Sequence, residues 1–259
     1  MIGILQGRLT KPWNGQLQCF PRGAWEAEFE LVREAGFDAL EPFVETEHNP
    51  DNPVWSDSGM GVLRALSAEF GVGTRVLCAD CFMTTTFVQQ PSAALGLLAR
   101  LGGKGFELLV LPFFEKAELK AAADGDKLAS TLRLSPVPPS QLALETTLPA
   151  ADLIPLVDRL GAKVCYDLGN TTALGHDIAR DIRLLGRRIV HVHIKDKRRS
   201  DGQNVLLGTG DTDFAGAAVA LRDIDYRGDF TCETFRGDDP LETARRHRAF
   251  VGRWWGEGR

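Results

Sequence analysis

The sequence predicts an α/β fold, a parallel eight-stranded (β/α)8 TIM barrel. Short apolar runs alternate with amphipathic helical stretches along the chain, and eight strand candidates can be counted. The length of 259 residues matches the roughly 250 that one such barrel occupies. No linker or low-complexity segment interrupts the series, so residues 1–259 read as a single domain.

The first strand candidate, near 2–6, runs into Gln6-Gly-Arg8. A helix from about Ala24 to Ala35 then sets Trp25, Phe29 and Val32 on one face. Gly36 is its expected stop, because glycine enters the left-handed cap conformation without a Cβ clash. AlaLeuGluProPhe, 39–43, is the second strand and 74–79 the third. A helix opening near Pro91 spaces Ala94, Leu97, Leu98 and Leu101 at i, i+3, i+4 and i+7 and ends at Gly102. Strands at 106–112 and 141–145 follow, and the intervening 115–140 allows a helix without clear bounds. A third helix carries Leu153, Leu156, Val157 and Leu160 on one stripe and stops at Gly161, ahead of ValCysTyrAsp at 164–167. Strands at 189–194 and 230–234 complete the eight, and the last helix opens with Asp239 as N-cap and Pro240 in its first turn. IleValHisValHisIle and PheGluLeuLeuValLeu are apolar on both faces, as strands inside a ring of helices are.

The apolar fraction of 44% and charged fraction of 25% describe a folded globular chain. A net charge of −5 argues against nucleic acid as a partner, since a phosphate backbone needs a basic face. Neither a basic leader nor a long apolar run is visible, so the reading is a cytoplasmic protein with no membrane partner. A small molecule is the expected partner, with self-association into a homo-oligomer left open. Five scattered cysteines fit reduced thiols, and Cys78-Ala-Asp-Cys81 lacks the second CxxC of a zinc ribbon.

In a parallel barrel the C-terminal strand ends converge on one open face, where chemistry sits. Four consecutive strand candidates end in Glu145, Asp167, His193 and Glu233. Period two puts Ala143, Cys165, His191 and Thr231 inward, one layer below. Three carboxylates crowded at the mouth repel one another unless a cation neutralises them, so one divalent metal ion is expected. An O3N donor set suits Mn, Mg, Co or Zn. HisValHis could offer two imidazoles; His193, nearer the strand end, is the expected ligand and His191 a supporting or substrate contact. His48 and His247 read as solvated surface residues, and His176 as a loop residue near a helix start.

These blocks resemble those of xylose isomerase-like TIM barrels, and among them the L-ribulose-5-phosphate (L-xylulose-5-phosphate) 3-epimerase type. The similarity is carried by AspLeuGlyAsnThrThrAlaLeuGlyHisAsp (167–177), HisValHisIleLysAsp (191–196), LeuGlyThrGlyAspThrAspPhe (207–214), ThrCysGluThrPhe (231–235) and GlyPheAspAlaLeuGlu (36–41), in that family's order. The resemblance implies a metal held by Glu145, Asp167, His193 and Glu233. It also implies that Glu145 and Glu233 act as two bases on opposite faces of a ketose, exchanging a proton through a cis-enediolate. Arg199 matches an arginine that holds substrate oxygens, and Asn170 stands where the sugar-phosphate type has asparagine. Gln6 and Arg8, at the end of the first strand, are further candidates for substrate oxygens or phosphate. The segment between Glu145 and Asp167 is shorter than in that type, which leaves open whether the substrate is a sugar or a sugar phosphate. Rival readings are an aldose–ketose isomerase or keto-inositol-type dehydratase on the same scaffold, and a non-catalytic sugar-binding barrel. An apurinic-type endonuclease is disfavoured by the acidic charge and the five histidines.

Overall fold

The computed structural model describes residues 1–12, 15–84, 90–113 and 128–256. Its strands are β1 (Ile2–Leu5), β2 (Ala39–Glu41), β3 (Phe43–Val44), β4 (Val76–Ala79), β5 (Leu108–Phe113), β6 (Leu142–Thr146), β7 (Lys163–Asp167), β8 (Ile189–Ile194), the short β9 (Asp196–Lys197) and β10 (Asn204–Val205), and β11 (Asp229–Cys232). Its helices are α1 (Glu28–Glu34), α2 (Asp57–Phe70), α3 (Cys81–Thr84), α4 (Pro91–Gly102), α5 (Ala150–Leu160), α6 (Leu168–Ala173), α7 (Ile178–Leu185), α8 (Phe214–Asp223) and α9 (Pro240–Gly256).

Nine strand segments form one parallel sheet in the order β2-β1-β11-β8-β7-β6-β5-β4-β3. The two ends of that order, β2 and β3, are halves of one predicted strand interrupted at Pro42. Proline has no N–H for a ladder, but its carbonyl still accepts from Cys78 N at 2.9 Å. The sheet is therefore a nearly closed (β/α)8 barrel, and the eight predicted strands are its staves. Inside it Leu5, Phe43, Cys78, Val110, Ala143 and Cys165 pack with Phe20, while the larger core lies between strands and helices.

The predicted helix stops are observed: Gly36 and Gly161 have φ of 81° and 70°. Asp239 Oδ1 accepts from Glu242 N at 3.0 Å, capping α9 as expected. The sequence reading contains no counterpart of α2. Only Met60 and Leu63 of this helix are buried, so its apolar stripe is thin. Of the 115–140 stretch, residues 115–127 lie outside the described residues.

His247 corrects the surface reading given to it. It is 1% exposed, with Nε2 3.0 Å from Phe235 O. The polar run ArgArgHisArg conceals it in sequence, but Ala244, His247 and Val251 fall on the buried face of α9 at helical spacing. All five cysteines are buried free thiols, consistent with the absence of a disulfide framework. No helix among the described residues is long and apolar enough to cross a membrane.

Candidate functional site

Strands β6, β7, β8 and β11 are consecutive neighbours in the barrel. Their parallel register brings their ends level: Asp167 pairs with His193, and Glu233 N donates to Ile194 O at 3.0 Å. Glu145, Asp167, His193 and Glu233 consequently offer ligand atoms that all lie within 4.8 Å of one another. His193 Nδ1 stands 3.3 Å from Glu145 Oε2 and 3.1 Å from Glu233 Oε2.

The far edge of the same imidazole is held by a residue the sequence reading did not choose. Glu41 Oε1 is 3.1 Å from His193 Nε2, and Glu41 Oε2 is 2.8 Å from His191 Nε2. A carboxylate accepting from Nε2–H fixes the tautomer and leaves the Nδ1 lone pair for a cation. Burial raises the Glu41 pKa, but His193 and His191 outweigh it and hold the carboxyl well below the usual carboxylate range. His193 Nδ1 is buried and makes no hydrogen bond. An imidazole nitrogen left without a proton partner and facing the oxygens of Glu145 and Glu233, with Asp167 beside them, fits a divalent cation.

Asp167 has a second task. Its Oδ1 caps α6, accepting from Asn170 N at 2.6 Å, which orients the carboxylate and places Asn170 beside Glu145, Nδ2 to Oε1 3.5 Å. Asp167 Oδ2 faces Lys195, whose Nζ is 2.8 Å away and also 2.8 Å from Glu233 Oε2. Residue 169 is glycine for a steric reason: a Cβ there would lie 2.1 Å from Lys195 Cγ.

Above this group opens a cavity of about 470 Å3, lined among others by Arg8, Gln18, Asp80, Glu145, Asn170, Lys195, Lys197, Asn204 and Glu233. Arg8, 2% exposed, donates to Leu17 O and Gln18 Oε1 and lies 3.7 Å from Glu233 Oε1. Arg236 fastens the same wall by donating to Gln16 O at 3.0 Å and Leu17 O at 2.6 Å. Of the substrate contacts read from the sequence, Arg8 and Asn170 line the cavity. Gln6 does not: it is fully buried, accepting from Phe43 N at 3.4 Å. His191 is buried on Glu41, and Arg199 is exposed, its backbone N–H donating to Asp211 Oδ2 at 2.8 Å. Arg199, between β9 and β10, does not line this cavity, whereas Lys197 does.

The two glutamates experience different fields. Burial pushes the Glu145 carboxyl up to about 8, with His193 opposing and Glu233 and Asp167 adding to the rise. Burial acts on Glu233 in the same sense, yet Lys195, His193 and Arg8 overcome it and hold Glu233 well below the usual range.

The family model described as "Xylose isomerase-like TIM barrel" matches residues 132–253, the span that holds all four clustered residues. The chain is 25% identical over 250 residues to "Putative L-ribulose-5-phosphate 3-epimerase SgbU" of Escherichia coli (strain K12), covering 84% of this chain and 87% of that protein. Among solved structures, an L-ribulose 3-epimerase superposes with a TM-score of 0.71 at 20% identity, covering 99% of this chain and 94% of the other. A xylose isomerase-like TIM barrel protein from Mycobacterium smegmatis in complex with magnesium superposes with a TM-score of 0.68 at 18% identity, covering 98% and 96%. The family resemblance and the barrel read from the sequence agree with these matches.

Proposed function

We propose that this xylose isomerase-like barrel is an isomerase, a metal-dependent epimerase that inverts the carbon beside the carbonyl of a small ketose or ketose phosphate. The observation that carries this reading is the placement of Glu145 and Glu233. They stand at the two ends of the row β6-β7-β8-β11, share His193 Nδ1 between them, and both line the cavity. A divalent ion held by Glu145, Asp167, His193 and Glu233 would supply charge neutralisation and Lewis-acid polarisation of the ketose carbonyl and its neighbouring hydroxyl.

The remaining work belongs to the side chains. One glutamate removes the proton at C3 and the other returns a proton to the opposite face of the enediolate. The unequal proton affinities of Glu145 and Glu233 suit an acid and a base acting together. Arg8 and Asn170 orient oxygens at the cavity wall, and burial of the ligand group keeps bulk water from the carbanion-like intermediate. Lys197 lines the cavity and forms no ion pair within 4 Å among the described residues, although Asp167 and Glu233 act on its charge, which supports a modest preference for a phosphorylated ketose.

The test is C3 hydrogen exchange in deuterated water with Glu145→Gln and Glu233→Gln. Each variant loses interconversion, and each retains exchange on a different epimer, because a different base survives. Exchange of the same epimer by both variants, or a fully active variant, refutes the two-base assignment. Turnover without deuterium at C3 refutes proton transfer altogether.

A further inference from the structure

A charged side chain beyond the four candidate ligands sits among them. Lys195 follows His193 by two residues, is 5% exposed, and divides its ammonium between Asp167 Oδ2 and Glu233 Oε2 at 2.8 Å each. Its position is built rather than adopted by chance. The stem runs across α6 at Gly169, where a Cβ would come within 2.1 Å of Cγ and 2.9 Å of Cδ. Asp167 is fixed from its other oxygen by the α6 cap, so the ammonium meets a carboxylate that cannot turn away.

Charge counting gives this arrangement a meaning. Three carboxylates less the Lys195 ammonium leave two negative charges, which Arg8 offsets in part from 3.7 Å off Glu233 Oε1, so the residual charge is one that a single divalent cation can balance. Without any cation the carboxylates would repel across less than 4.8 Å in surroundings where screening by water is weak. Lys195 lies on two of the four ligands, so it both relieves that repulsion and occupies their attraction.

We propose that Lys195 is a resident counter-cation, a positioning residue that holds Asp167 and Glu233 in ligand geometry before a metal arrives and competes with the metal for them. This rests on the metal-site reading above. The competition makes metal uptake weaker than the four ligands alone would give, and it makes the metal-free protein more stable than an uncompensated acidic cluster would be.

The experiment titrates purified, EDTA-stripped full-length protein with Mn2+ alone, following binding by calorimetry and the melting temperature with and without the ion. Lys195→Met is expected to bind Mn2+ at least about ten-fold more tightly than the unaltered protein, since a like charge near the ion is gone. Its metal-free form melts lower, and Mn2+ raises its melting temperature by a larger increment. Gly169→Ala keeps the ammonium but crowds its stem, so it shifts both readouts in the same direction by less. Recovery of Lys195→Met only in the presence of Mn2+ also supports the proposal; if that variant is insoluble in both conditions, Gly169→Ala decides. Equal or weaker Mn2+ binding in the soluble variants overturns it. Absence of Mn2+ binding in the unaltered protein overturns the metal-site reading and the proposal together, whereas normal binding without ketose epimerisation touches only the activity proposed above.

Discussion

Glu28 lies at the root of the wall that carries Arg8, and its protonation should be readable in the stability of the whole barrel. The side chain is fully buried and accepts from Gly7 N at 2.9 and 3.0 Å, with Thr10 Oγ1 at 3.3 Å. Burial pushes its carboxyl from 4.5 up to about 7, against the pull of those donors and Arg236. A carboxyl whose folded pKa lies above its unfolded one binds more protons when folded, so its contribution is fully present below pH 4.5 and is lost as pH rises through about 7. A rise from 4.5 to about 7, at 1.36 kcal/mol per unit, gives a loss of about 3 kcal/mol. Glu28→Gln keeps an acceptor for Gly7 N and cannot ionise. Urea unfolding of both proteins, in EDTA at several pH values between 4.5 and 8, should show curves that diverge across this window, the variant gaining on its parent as pH rises. Parallel curves would mean that Glu28 ionises without cost, and the burial argument would fall.

Other expectations follow from the same geometry. Glu41→Gln should weaken Mn2+ binding roughly 10- to 100-fold by releasing the His193 tautomer and ring orientation; an unchanged affinity in calorimetry would remove Glu41 from the site's support. His247 behaves in the opposite sense to Glu28: burial depresses its pKa from 6.5 to about 4, so its contribution is present above pH 6.5 and is lost as pH falls through about 4. His247→Gln should therefore abolish about 3 kcal/mol of acid-side destabilisation in urea melts, and an acid limb identical to the parent's would contradict this. Lys197→Met should raise KM for phosphorylated ketoses several-fold and leave free ketoses nearly unchanged, so an equal effect on both would withdraw the phosphate contact.

Much of the fold was legible because each helix signal had a local cause. The stripe 153/156/157/160 and the stops at Gly36 and Gly161 depend on neighbours within one turn, and the structure keeps them. The helix α2 escaped because its apolar stripe is thin and interrupted by glycines. One of them, Gly59, is required by tertiary contact, since a Cβ there would lie 2.5 Å from Pro53 O. No local pattern reveals such an approach. His247 escaped for a related reason: burial of one residue in an arginine-rich stretch is decided by the surface that α9 packs upon.

The site was legible only where the strand-end rule was applied. Read on β6, β7, β8 and β11, it selects Glu145, Asp167, His193 and Glu233; Glu41 lies inside the second strand as read from the sequence, 39–43, and becomes a strand end only through the break at Pro42. Asp80 follows β4 directly and lines the cavity, so it was available to that rule. Lys195 and Lys197 are a different case. LysAspLysArgArg reads as a solvated charge run, and taking one arginine from it by motif led to Arg199, which is exposed and does not line the cavity described above. The period of two does not stop at the end of β8, however. Lys195 and Lys197 face the cavity, while Asp196 between them turns the other way and accepts from Gly208, Gly210 and Thr212 N at 2.9, 2.8 and 3.1 Å. Those three bonds tether the 207–214 loop to the hairpin, and Gly210 must be glycine because a Cβ would lie 2.4 Å from Asp196 Oδ1. The block HisValHisIleLysAspLys thus alternates from β8 into β9, its inward side carrying the candidate metal-ligand imidazole, the proposed counter-cation and a candidate anion contact in succession. Asp196, on its other side, fixes the loop that keeps the strand extended.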